Sequence, residues 1–222
     1  METRLREILV EGASRMGIVL GEEAVARFDT LLALLQTWGS RINLTTRIEA
    51  REVVIHHFLD SLAGVPLLSG EPRARVVDLG AGAGFPAFPL KFALPDLRVS
   101  LVESVRKKIA FCREVIRATA CTEIEAACAR GEELSRDARY RGAYDWVVSR
   151  ALGSSADVLR LSLPFLAPGG RILLYKGMPS RKELDDLEAA CVKLGVSPTL
   201  QEAVIPFLDA RRTLIVLRTA GR

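Results

Sequence analysis

Arg75-Val76-Val77-Asp78-Leu79-Gly80-Ala81-Gly82-Ala83-Gly84-Phe85-Pro86 decides the fold of this chain. Its first five residues form a short, mostly apolar run of buried-strand character, and they pass directly into glycines at alternate positions. Glycine lets a backbone turn sharply and approach a ligand that a Cβ would keep away. Asp78 places a carboxylate at the strand end, where it can fix the loop or reach a ligand ammonium through water. The loop lacks the final x-x-G of the dinucleotide-binding fingerprint. The bland alternative is a glycine-rich turn that only packs a helix against a sheet.

Working outward from the loop, short apolar runs alternate with amphipathic stretches. Strands are expected at Arg75–Leu79, Arg98–Glu103, Ile124–Cys128, 145–149 and 171–176, with helices at 87–94, 105–119, 155–166 and 180–194. Such alternation implies right-handed crossovers and a mostly parallel sheet covered on both faces. The alternation then breaks: 201–207, a turn at Asp209-Ala210, and 212–218 form an antiparallel hairpin at a sheet edge.

Five parallel strands closed by that hairpin are the plan of the seven-stranded sheet of Rossmann-like class I methyltransferases. An α/β domain of this kind is expected over residues 71–222, with S-adenosyl-L-methionine as cofactor. Asp78, Gly80, Gly82 and Gly84 are its expected loop residues. Glu103 ends the second strand 23 residues after Gly80, in reach of a ribose diol. An NAD-dependent oxidoreductase is the enzymatic rival, and it too would use an acid at Glu103. Asp78 and the terminal hairpin argue against it, and the chain has no Tyr-x-x-x-Lys pair.

Upstream, Leu31, Leu32, Leu34, Leu35 and Trp38 recur at helical spacing until Gly39-Ser40. A second helical run, from Val53 through Phe58 and Leu62, ends near Pro66. Residues 1–70 are therefore expected to be an amino-terminal helical extension packed on the core. A chain of 222 residues buries roughly 70% of its unfolded surface, so it needs no covalent staple. Its apolar share of 49% and charged share of 26% are those of a soluble globular protein. Cys112, Cys121, Cys128 and Cys191 form no C-x-x-C pair, which suits reduced thiols in the cytoplasm. Residues 1–20 are broken by charge, so no secretory leader is expected, and no apolar run is long enough to span a membrane. The net charge of +4 mildly favours a polyanionic partner.

Asn43-Leu44-Thr45, His56-His57-Phe58-Leu59-Asp60-Ser61, Gly84-Phe85-Pro86, Ser149-Arg150-Ala151 and Tyr175-Lys176-Gly177 follow one another in order. Together they resemble the glucose-inhibited division protein B family, the 16S ribosomal RNA guanine-N7 methyltransferases, over about residues 31–217. The resemblance implies that Gly80 and Phe85 lie at the cofactor, Gly131 and Glu132 beside the adenine, and Glu103 on the ribose. It implies that Arg150 faces the cofactor and substrate cleft. It also implies a 16S ribosomal RNA partner, free or within the 30S subunit, and a cytoplasmic enzyme. Ala81, Ala87 and Thr213 depart from the usual pattern: many relatives have Thr or Ser, Gly, and His there. Thr213 leaves no imidazole for the terminal hairpin.

Guanine N7 carries a lone pair and no proton, so its methylation needs alignment in a dry cleft and no general base. N7 lies on the Hoogsteen edge, where an Arg or Lys donor to the neighbouring O6 is the natural reader. Arg150 and Lys176, each ending a strand at the carboxyl edge, are the catalytic candidates. The competing readings are a structural ion pair for Arg150 and a solvated charge for Lys176. His56 and His57 adjoin on an expected helix and point about 100° apart, so no metal site is expected. Asn43 and Asp60-Ser61 are as readily cap and packing residues as functional ones. Arg106, Arg113 and Arg117 share a helix face, with Lys107, Lys108, Arg211, Arg212 and Arg218 as further basic residues for phosphate contact. Lys107 and Lys108 can also help close the adenosine pocket beside Glu103. A non-catalytic RNA-binding or assembly protein is the remaining alternative, although such a module need not keep a cofactor pocket.

Overall fold

Val76, Val77, Asp78 and Leu79 are all buried in β1 (Arg75–Leu79), because both faces of this strand are covered. The computed structural model describes residues 1–39, 42, 44, 49–208 and 211–219. Ser40, Asn43, Thr45 and the Asp209-Ala210 turn lie outside the described residues. β1 pairs in parallel with β2 (Arg98–Glu103) and with β4 (Tyr144–Arg150). β3 (Ile124–Cys128) adds in parallel to β2, and β5 (Leu166–Lys176) to β4. β7 (Arg211–Thr219) then runs antiparallel between β5 and β6 (Val196–Val204). The order β3-β2-β1-β4-β5-β7-β6 is the expected seven-stranded sheet, with one strand against the rest.

Alternate residues of a strand face opposite sides, and the core divides accordingly. Val76, Trp146, Val148, Leu173 and Val216 join one apolar cluster, while Val77, Val147, Ile172, Leu174 and Ile215 join the other. The first cluster is completed by α1 (Thr3–Arg15), α2 (Glu22–Gly39), α6 (Ala87–Ala93) and α7 (Arg106–Ala118), through Leu9, Phe28, Leu31, Phe88 and Phe111. The second is completed by α9 (Ser155–Ser162) and α10 (Arg181–Leu194), through Leu159, Leu187 and Cys191. Ser154 and Ser180 cap these two helices, each accepting the amide three residues on at 3.2 Å. Gly195, in the left-handed region, ends α10.

The expected boundaries need correction in three places. The strand expected at 171–176 begins at Leu166, and the helix expected to run to 166 ends at Ser162 in a single 3-10 turn over Leu163–Phe165. The hairpin strand expected at 201–207 is Val196–Val204, and most of its side chains are exposed. The second helical run ends at Leu68, near Pro66 as expected, but it is not one regular helix: the proline sits in the first turn of a separate α5 (Val65–Leu68), where a missing N–H leaves no bond unmade. Ahead of it, α3 (Ala50–Val53) passes into a π-helical segment (Val54–Leu59) and then α4 (Asp60–Leu62). π-helical turns are rare and concentrate at functional sites. This one carries His56 and His57, with Asp60 directly after it.

Candidate active site

The loop after β1 is held from several sides. The amides of Gly80 and Ala81 both donate to Val102 O, at 2.9 and 3.1 Å. The Gly82 amide donates to Glu103 Oε2 at 3.2 Å, and the Ala87 amide to Asp78 Oδ2 at 3.2 Å. At two of the glycines a side chain would be both strained and crowded. Gly80 has φ +72°, and a Cβ there would stand 2.7 Å from Leu152. Gly84 has φ +84°, and the Phe88 ring already fills the space of its Cβ at 2.1 Å.

Two cavities open side by side at the carboxyl ends of the strands, the end where α/β sheets bind ligands. The first, of about 300 Å³, is walled by Leu79, Gly80, Val102, Leu152 and Leu161, with Glu103, Gly131 and Glu132 at its polar side. Glu103 Oε1 accepts the Val105 amide at 2.9 Å, and Lys108 Nζ lies 3.9 Å from Oε2. The second, of about 350 Å³, is lined by His56, His57, Asp60, Arg150, Lys176 and Arg212. Ala151 lines both.

In the second cavity the charges are organised around Asp60, which is 2% exposed. Arg150 Nη1 donates to Asp60 Oδ2 at 3.0 Å and to His56 O at 3.1 Å. Arg212 Nε donates to Asp60 Oδ1. Arg150 Nη2 meets His57 Nδ1 at 2.8 Å, and its guanidinium carbon lies 5.1 Å from the centre of the Phe85 ring. His57 stacks on the same ring at 4.9 Å and 18°. Lys176 Nζ donates to Gly153 O at 3.0 Å and pairs with Glu183 at 2.8 Å.

The chain matches the family model described as rRNA small subunit methyltransferase G over residues 24–214. It belongs to that family. The rRNA small subunit methyltransferase G of Pelotomaculum thermopropionicum is 38% identical over 220 residues, covering 98% of this chain and 91% of that protein. The protein of the same name from Geobacter metallireducens is 35% identical over 218 residues, covering 98% and 97%. Among solved structures, a precorrin-6y C5,15-methyltransferase of Geobacter metallireducens has a TM-score of 0.53 at 16% identity, covering 80% of this chain and 91% of that one. Aeropyrum pernix fibrillarin, in complex with S-adenosyl-L-methionine, has a TM-score of 0.54 at 17% identity, covering 72% and 76%. Both carry the same fold. Membership of the small subunit methyltransferase G family leaves the oxidoreductase and the purely RNA-binding readings without support.

The residues singled out in the sequence of this family member are divided between the two cavities. Gly80, Glu103, Gly131 and Glu132 line the first; Arg150 and Lys176 line the second. Asp78, Gly82, Gly84 and Phe85 line neither and instead shape the loop. Asp78 is fully buried beneath it, and burial pushes its carboxyl up to about 7 against the opposing Ala87 hydrogen bond. The first cavity fits an adenosyl group chemically: apolar walls suit a purine ring, and the Glu103 carboxylate suits a diol. His56 and His57 both line the second cavity, the first meeting the Arg150 guanidinium through its backbone carbonyl and the second through its ring. Among the described residues, no group of three His, Cys, Asp or Glu is placed to hold a metal. No helix described is long and apolar enough to cross a membrane.

The sequence leaves Asp60 as equally a packing or a functional residue and names Arg212 among the basic residues for phosphate contact, but it does not show that the two are paired. The only sequence signal was the placement of Asp60 in the His-His-Phe-Leu-Asp-Ser run.

Proposed function

We propose that this chain transfers a methyl group from S-adenosyl-L-methionine to N7 of a guanine in 16S ribosomal RNA, taken either free or within the 30S subunit in the cytoplasm. The observation that carries the reading is the adjacency of the two cavities across Ala151: one with apolar walls from Leu79, Val102, Leu152 and Leu161 and the Glu103 and Glu132 carboxylates at its side, the other with Arg150, Lys176 and Arg212 in its lining. When bound, the cofactor supplies an electrophilic methyl on a sulfonium.

Gly80, Glu103, Gly131 and Glu132 hold the adenosine half, and Asp78, Gly82, Gly84 and Phe85 keep the loop in shape around it. Arg150 and Lys176 orient the base in the second cavity. A Hoogsteen-edge acceptor needs donors at O6 and no proton acceptor at N7. The second cavity offers that balance. Its one carboxylate, Asp60, is engaged by two arginines, and Arg150 and Arg212 are donors only. The reaction then rests on alignment and exclusion of water. The helices of residues 1–70 act as an extension of the methyltransferase domain of residues 71–222, since they deliver His56, His57 and Asp60 to the cleft.

The test incubates the full chain with methyl-labelled cofactor and undermodified small-subunit RNA, free and as 30S particles. Reductive cleavage at 7-methylguanosine then maps the label to a guanine. Label on another atom, or on protein, overturns the assignment.

A further inference from the structure

Asp60 joins two arginines that are distant in sequence, Arg150 on β4 and Arg212 on β7. The side chain of Asp60 is 3% exposed, while those of Arg150 and Arg212 are 16% and 25% exposed. The carboxylate thus sits behind the arginines and the guanidinium groups face the cavity. Arg212 spends only Nε on Asp60, and its Nη1 and Nη2 make no hydrogen bond or ion pair among the described residues. Gly177 stands across from them. A Cβ at that position would be 3.6 Å from Arg212 Nη1, so the glycine packs beside the guanidinium, and both line the second cavity. Arginine presents its donors in a planar fork, and fixing one edge aims the other.

We propose that Asp60 is a positioning residue that aims Arg212 at an RNA oxygen, either O6 of the base being methylated or a phosphate oxygen beside it. Arg212 is the residue that touches the RNA. This rests on the function proposed above. The remaining candidates carry less. The cavity at the amino ends of β1 and β2 has its Ser100, Glu125 and Tyr144 side chains hydrogen-bonded to one another, and the exposed edge of β6 has nothing to identify a covering partner.

The test is a double-mutant cycle on the full chain: D60N, R212A and the two together. It is read on 30S particles as kcat/KM and, separately, as RNA affinity of protein saturated with the demethylated cofactor product. Removing one member of a partly buried charged pair on substrate is expected to lower kcat/KM on the order of thirtyfold or more, chiefly through KM. The double variant is expected to lose clearly less than the product of the two single losses, because Asp60 acts in part through Arg212 and otherwise only through Arg150. Affinity for the cofactor is expected to stay within about twofold, as the first cavity lacks both residues. A phosphate contact lowers the salt slope of binding by about 1 in R212A, and a contact to O6 leaves the slope unchanged.

Losses that multiply in the double variant overturn the proposal. So does an R212A protein with undiminished RNA affinity, or a cofactor affinity that falls in step with activity. A wild-type protein that binds RNA without methylating it overturns the assigned reaction alone, since the affinity cycle still reads the coupling of Asp60 to Arg212.

Discussion

Asp78 accepts a hydrogen bond from the Ala87 amide at 3.2 Å and so ties the strand before the glycine loop to the helix after it. Its other oxygen, Oδ1, is buried with no partner among the described residues. Unfolded, this carboxyl titrates near 4, whereas burial holds it at about 7 in the folded chain. The folded state therefore keeps a proton that the unfolded state has released between those values. Stability falls as pH rises through that window, and above it ionised Asp78 disfavours the fold by roughly 4 kcal/mol relative to low pH. D78N is expected to flatten this dependence, raising stability at pH 8 by up to a few kcal/mol and leaving it nearly unchanged at pH 4. Urea unfolding of both proteins at the two pH values checks the claim, and an equal gain at both would refute it.

Gly80, like Gly131, lines the first cavity, so its replacement reaches that cavity directly. G80A places a non-glycine residue at φ +72° and its Cβ against Leu152. The backbone conformation alone is worth about 1–2 kcal/mol, and Leu152 must move as well. Cofactor affinity measured by calorimetry is expected to fall at least tenfold. G153A, with φ +69° and open space around it, serves as the control: it carries the backbone strain without the contact. Equal losses in the two variants would remove the case for Gly80 as a cavity wall.

Glu103 is expected to separate the cofactor from its analogues. Its carboxylate already accepts the Gly82 and Val105 amides, so E103Q keeps the size of the side chain and weakens both bonds. Loss of a charged hydrogen-bonding partner of this kind is worth about 1.5–3 kcal/mol. Wild-type protein should gain thermal stability with S-adenosyl-L-methionine or its demethylated product and none with NADH, and E103Q should lose most of that gain. A shift with NADH alone would point to the dinucleotide chemistry set aside above.

The basic face of α7 is expected to act through only part of its charge. Arg113 donates to Ala126 O at 3.1 Å, and Arg117 pairs with Glu114 at 2.6 Å. Arg106 and Lys107 are exposed and make no hydrogen bond or ion pair among the described residues. If α7 meets phosphate, R106Q and K107Q should each lower the slope of log affinity against log salt by about 1, while R117Q leaves it unchanged. A uniform effect of all three would mean that only net charge matters.

The parallel strands are legible in the sequence because each is a short apolar run buried on both faces, as Val76, Val77 and Leu79 are in β1. β6 is not, because most of its side chains are exposed and Pro198 interrupts it, so its place is fixed by pairing with β7 and not by pattern. The start of β5 is hidden by Ala167-Pro168-Gly169-Gly170, which reads as a turn; the strand is held there by Tyr144 opposite Leu166, with an irregularity before Trp146 opposite Arg171. The glycine loop and Glu103 lie within a single βαβ unit, so the meeting of Gly80 and Glu103 at the first cavity is legible in the sequence. The second cavity is not, because Arg150 and Arg212 stand 90 and 152 residues from the Asp60 they share. No local spacing reports such a contact.

The position of β7 has a consequence for how the chain acquires its activity. This strand occupies an interior place in the sheet, with β5 on one side and β6 on the other, yet it is made after every other element. A nascent chain holding residues 1–204 would have a complete glycine loop and the residues of the first cavity but no partner between β5 and β6. Arg212 arrives on this last strand. The lining of the second cavity is thus complete only when synthesis has passed the sheet's interior strand, whereas every residue that lines the first cavity is made earlier.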